Sequence, residues 1–191
     1  MHRLLLPVSI VWVILWWFVA WHHIPFVSEH AFFPLWVGYI LTINGLSERL
    51  YKDSLLRRMR GWFLLLFVAS VPLWWFFEWI NSYLQNWHYV FPHVISQQQF
   101  IVEASIDFST VISAVLSATF LFYLCFGQRF REAHPMRLRS SWLVISIAVG
   151  FLSFYLMQTF PKQTFPLAWI APILILEPSL YFFGLPCLLR K

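Results

Sequence analysis

Long apolar stretches separated by short polar ones dominate the chain. Six apolar spans, at about 4–26, 31–47, 61–83, 105–127, 141–159 and 165–188, predict membrane-crossing helices. A helix rising about 1.5 Å per residue needs roughly 20 apolar residues to cross the hydrocarbon core. The predicted fold class is therefore all-α: a polytopic membrane helical bundle, with residues 1–191 forming a single integral membrane domain. The longest connection runs from about Leu84 to Ala104 and holds Pro92 and Gln97-Gln98-Gln99. It is expected on the membrane surface, with a short interfacial helix. Arg3 followed by Leu4–Ala20 has the outline of a leader, but the stretch is Trp-rich and reaches Trp21 without a small-x-small cleavage site, so it reads as a retained helix.

Composition agrees with lipid as the solvent. Sixty per cent of residues are apolar and 11% are charged, against about 25% charged in a soluble domain. The charges that remain set an orientation. Arg49, Lys52, Arg57, Arg58 and Arg60 lie between the second and third spans, and Arg129, Arg131, Arg137 and Arg139 between the fourth and fifth. Arg3 precedes the first span, and Arg190 and Lys191 follow the last. The other connections hold only Lys162, so 12 of 13 basic residues fall on one side. The positive-inside rule makes that side cytoplasmic, with both termini inside, in the inner (cytoplasmic) membrane of a bacterium. The net charge of +5 thus follows topology and predicts no nucleic-acid partner. Cys125 and Cys187 fall near cytoplasmic span ends, where a structural disulfide is not expected.

An internal repeat is visible. Phe33-Pro34-Leu35 precedes Trp36-Val37-Gly38-Tyr39-Ile40-Leu41-Thr42-Ile43-Asn44, and Phe165-Pro166-Leu167 precedes Trp169-Ile170-Ala171-Pro172-Ile173-Leu174-Ile175-Leu176-Glu177. Each Trp is followed 21 residues later by the Arg of a Leu-Leu-Arg ending, Leu55-Leu56-Arg57 and Leu188-Leu189-Arg190. Copy one covers about 1–140, and an incomplete copy two covers about 141–191. The repeat pairs Asn44 with Glu177, which are expected to face each other in a packing role.

Polar residues within apolar surroundings are the candidates for chemistry. Glu78 and Asn81 share a helix face in Phe76-Phe77-Glu78-Trp79-Ile80-Asn81, and Asn86-Trp87-His88-Tyr89 follows. An intramembrane acid is a functional-site hypothesis by default and would suit a proton donor. The structural alternative is that Glu78 or Asn81 bonds the Asn86–Tyr89 segment and locks the outer loop, with Trp87 and Tyr89 turning their polar edges outward. Glu103 and Asp107 are i, i+4 at the start of the fourth span. Asp107 would either join Glu78 in a carboxylate pair or complement its own helix dipole. Glu177 precedes Pro178, which frees a backbone carbonyl one turn back. His22, His23, His30, His88 and His93, with Glu29, suggest a metal, but no spacing aims two of them at one point. No metal site is predicted, no histidine lies at mid-depth for haem, and no cofactor is required by the sequence.

The strings Pro34-Leu35-Trp36-Val37-Gly38-Tyr39-Ile40-Leu41, Phe76 to Asn81 and Asn86 to Tyr89 resemble a group of bacterial multi-pass membrane proteins of uncharacterised function that carry an internal repeat. A fainter likeness is to lycopene cyclase domains, which are built of repeated helical halves with intramembrane acids in a Pro-x-Glu-Glu pattern. Here only the reversed order Glu177-Pro178 occurs. With 12 Trp, 7 Tyr and 21 Phe, the chain is expected to contact membrane lipids, other integral membrane proteins and an apolar pigment or isoprenoid. Two functions follow as expectations. One is an accessory or structural subunit of a larger membrane complex. The other is an enzyme acting on a lipid or isoprenoid at the outer leaflet, with Glu78 as acid and Asp107, Asn81 and His88 positioning substrate.

Overall fold

The computed structural model describes residues 2–91, 93–127, 139–185 and 187. Among them every regular element is helical: α1 (His2–Trp21), α2 (Phe32–Tyr51), α3 (Leu55–Met59), α4 (Leu64–Leu84), α5 (Gln97–Phe108), α6 (Val111–Phe126), α7 (Ser140–Thr159), α8 (Pro161–Thr164) and α9 (Leu167–Phe182). Arg129, Arg131, Arg137 and the second Leu-Leu-Arg ending with Lys191 lie outside the described residues. Four stretches are long and apolar enough to cross a membrane: Leu4–Trp21, Leu55–Leu84, Gln97–Phe126 and Ser140–Thr159. The chain is thus an all-helical protein of membrane-spanning character.

Two of the six predicted spans depart from expectation. α2 has 20 residues but carries Glu48 and Arg49 near its end. α9 has 16 residues, about 24 Å of helix against a hydrocarbon core of about 30 Å. It stops because Gly184 takes the left-handed conformation (φ 72°) that a side chain disfavours. The Leu185 N–H then bonds Leu180 O and the Gly184 N–H bonds Tyr181 O, a Schellman turn. The connection from Leu84 to Ala104 is also shorter than expected. Ser96 caps α5 by accepting the Gln99 N–H at 3.1 Å, so the glutamine run opens a helix.

The chain divides into two compact units, Met1–Trp74 with His93–Arg131 and Trp75–Pro92 with Glu132–Lys191. In the first, α1 packs antiparallel on α2. A Cβ at Gly45 would meet the Leu6 backbone, and one at Gly38 would meet Trp12 and Val13. The contact is close because both positions lack a side chain. Trp12 pins it further, its indole N–H donating to Pro34 O at 2.8 Å. α2 runs parallel to α6, with Asn44 on Ser117 and Tyr51 on Cys125. Ile40, Phe63 and Ala114 form the buried apolar centre.

The α5–α6 break at Ser109 and Thr110 is closed from outside. In an unbroken helix the Ile112 N–H would bond Phe108 O. Instead the fully buried Ser70 of α4 inserts its hydroxyl, donating to Phe108 O at 2.5 Å and accepting the Ile112 N–H at 3.1 Å.

In the second unit, α7 and α9 pack antiparallel. A Cβ at Gly150 would strike Ile175 and Ala171 O. Pro178 has no N–H, which leaves Leu174 O without its helical donor. The Ser146 hydroxyl supplies the missing bond at 3.0 Å. Phe77, Ile80, Leu84, Met157, Ala168 and Ala171 form this unit's core.

Ser70→Ala removes a hydroxyl that satisfies two buried backbone groups, and should destabilise the fold by about 2 kcal/mol. Thr119→Ala is the control, because Thr119 only back-bonds Val115 O within its own helix. Unfolding in detergent micelles measures both. Equal midpoints for the two variants would show that the Ser70 bridge contributes nothing.

Candidate functional site

The densest arrangement of predicted residues is where α4 ends. Asn81 is buried, and its amide holds the chain as it leaves the helix. Nδ2 donates to Trp87 O at 2.9 Å, while Oδ1 accepts the Asn86 N–H at 3.0 Å and the Trp87 N–H at 3.3 Å. One turn earlier, Glu78 Oε1 accepts the Trp87 indole N–H at 3.1 Å and the Tyr89 hydroxyl at 2.5 Å. The loop is therefore stapled twice, through its backbone by Asn81 and through its side chains by Glu78. The expected anchoring is present, but the polar edges of Trp87 and Tyr89 turn inward to Glu78 rather than outward. A half-buried carboxylate competes for these donors more strongly than a neutral acceptor would. The Trp87 ring also packs edge-on to Phe165, 6.1 Å between centroids.

The other candidates have surroundings of their own or play lesser parts in this cluster. Asn86 contributes its backbone N–H, and its side chain is exposed. His88 is exposed, with no ring hydrogen bond among the described residues. Asp107 belongs to the first unit, near His30, Glu103 and the Phe33 backbone. Because α5 begins at Gln97, Asp107 is not in the first turn of its own helix. It lies instead beside the start of α2. Glu103 takes a hydrogen bond from Gln99 at 2.8 Å. Glu78 and Asp107 thus each have local partners within their own unit.

Asn44 is 1% exposed and joins three helices: Nδ2 donates to Ile40 O and to Ser117 Oγ, and Oδ1 accepts the Leu56 N–H at 2.8 Å. Glu177, expected from the sequence to be its repeat counterpart, is half-buried in α9, in the second unit. Beside Asn44 lies an acid that the sequence reading passed over. Glu48, 7% exposed, pairs with Arg57 at 3.1 Å. Arg57 lies nine residues on, in α3, so no spacing within one helix signalled the pair. At the same corner Arg58 bonds Asp53 at 2.6 Å and lies over the Phe120 ring. The Arg58 hydrogen bond holds the Asp53 carboxyl below its ordinary range.

Three of the described histidines have separate partners. His22 and His23 bond the carbonyls of Phe18 and Trp21, and His93 lies 3.6 Å from Glu29. Among the described residues no group of three or more His, Cys, Asp or Glu could hold a metal ion. Compared with family models, with curated proteins and with solved structures, the chain has no match.

Glu78→Gln keeps an acceptor for Trp87 and Tyr89 and should fold close to the parent. Glu78→Leu leaves both donors unmatched and should lose about 1–3 kcal/mol, with a shifted Trp emission as the loop loosens. Asn81→Ala should cost more than Asn86→Ala, since only the first removes loop bonds. A Glu78→Leu protein that melts like the parent, beside a Glu78→Gln protein that loses an activity, would make Glu78 catalytic instead.

Proposed function

We propose that the chain is a non-catalytic integral subunit that packs within a larger membrane assembly. In this reading it crosses a bacterial inner membrane six times, with both ends on the cytoplasmic side. One observation carries the proposal: Glu78, the acid best placed for catalysis, is engaged in holding the chain's own loop. Its Oε1 faces two protein donors, the Trp87 indole and the Tyr89 hydroxyl.

The exposure of α1 supports a packing role. Only 11% of its apolar window is buried within the chain, against 22% to 28% for the other three candidate spans. Trp12, Trp17 and Trp21 all stand exposed on it. Such a helix suits contact with lipid, an apolar pigment or isoprenoid, or a neighbouring subunit. Alternating passes are supported by α1 lying antiparallel to α2, and α7 antiparallel to α9. The repeat is supported locally, because each Phe-Pro-Leu opens a helix, α2 and α9.

Extraction in a mild detergent followed by native mass measurement tests the subunit role. A particle heavier than the 22.9 kDa chain, with a second polypeptide in fixed ratio, is expected. A stable lone monomer would overturn it.

A further inference from the structure

α1 and α2 enclose a groove of about 510 Å³ on the first unit, within the range of about 300–1,000 Å³ typical of small-molecule sites. Its walls include Ile10, Ile14 and Trp17 from α1 and Leu35, Tyr39 and Thr42 from α2. The walls are fixed, because the Trp12–Pro34 bond and the close approach at Gly38 set the spacing of the two helices. α1 is a candidate membrane span, so hydrocarbon chains are what surrounds an apolar groove there.

The groove leads to a charge. Leu35, Thr42 and Arg49 recur every seven residues and therefore lie along one side of α2. Arg49 is seven residues beyond Thr42, about 10 Å along the axis. It is exposed, and Lys52 Nζ folds back to Arg49 O at 3.4 Å. The neighbouring cations Arg57 and Arg58 are committed to Glu48 and Asp53. Arg49 and Lys52 have no carboxylate partner among the described residues. A fixed apolar groove therefore begins within one leaflet's reach of two cations that have no carboxylate partner among the described residues.

We propose that this groove is the binding site of one anionic phospholipid. Its head-group phosphate sits against Arg49 and Lys52, and one acyl chain runs along α2 into the groove. The lipid comes from the leaflet that faces the basic corner. Clusters of basic residues at the end of a membrane helix attract anionic head groups. The groove adds what a cluster alone lacks, a place for one particular chain. This inference rests on membrane residence and not on the subunit role. A lone monomer that retains lipid would sink the subunit proposal and leave this one standing.

The test uses the full chain, stripped of lipid in detergent. It is titrated with phosphatidylglycerol or phosphatidylcholine of equal chain length and read by native mass and by unfolding midpoint. One phosphatidylglycerol should bind per chain, about 25-fold tighter than phosphatidylcholine, since each of the two cations contributes about fivefold at an anionic surface. Arg49→Gln with Lys52→Gln should abolish that preference, and Lys162→Gln should leave it intact. Thr42→Phe fills the groove and should weaken both lipids at least tenfold. The lipid-free midpoints of the variants establish that they fold. Equal binding of the two lipids by the parent, or a preference that survives the double substitution, would overturn the head-group assignment. Unchanged binding by a folded Thr42→Phe protein would overturn the groove.

Discussion

Hydrocarbon offers no hydrogen bonds, so every interruption of a membrane helix must find its partner inside the protein. That constraint organises this fold. The break between α5 and α6 is closed by Ser70. The carbonyl released by Pro178 is taken by Ser146. The first turn of α3 receives Asn44, and the chain leaving α4 receives Asn81. In each case one small polar side chain also ties two segments together. The buried positions in this chain are correspondingly rich in Ser, Thr and Asn, while much of its large apolar surface faces outward.

Four of the six predicted spans were legible, because length and composition alone identify them. Helix ends were less so, although their signals are local. Gly184-Leu185-Pro186 marks the stop of α9, and Ser96 before the glutamine run marks the start of α5. Both were obscured by apolar or polar runs that cross the boundary. The Glu78–Asn81 staple was legible because its partners lie within eleven residues. The Ser70 bridge was not, since Ser70 and Phe108 are 38 residues apart and a serine in a membrane helix usually back-bonds its own turn. Asp107 shows the same limit. Its sequence position pointed to its own helix, whereas the fold also brings His30 and the start of α2 beside it.

Acids within apolar segments invite a catalytic reading by default. Here the geometry around Glu78 argues for construction first. Its donors are an indole and a phenol from a connection with little regular structure of its own. A connection of that kind would otherwise be free to sample many arrangements at the membrane boundary, and the carboxylate selects one. The basic corner contrasts with it. There the buried cluster of Asn44, Ser47, Glu48 and Ser54 is internal, whereas the cations at its rim face outward.

The pairing of Ser146 with Pro178 also constrains how the sequence can drift. While Pro178 is present, loss of the Ser146 hydroxyl strands a carbonyl. Once Pro178 has become a residue with an N–H, that carbonyl regains its helical donor and Ser146 is released. The two positions, 32 residues apart, can therefore change freely in one order only, proline first. A lineage that has replaced the serine but kept the proline should carry another hydroxyl or amide within reach of Leu174, so descent in this chain is ratcheted by a single hydrogen bond.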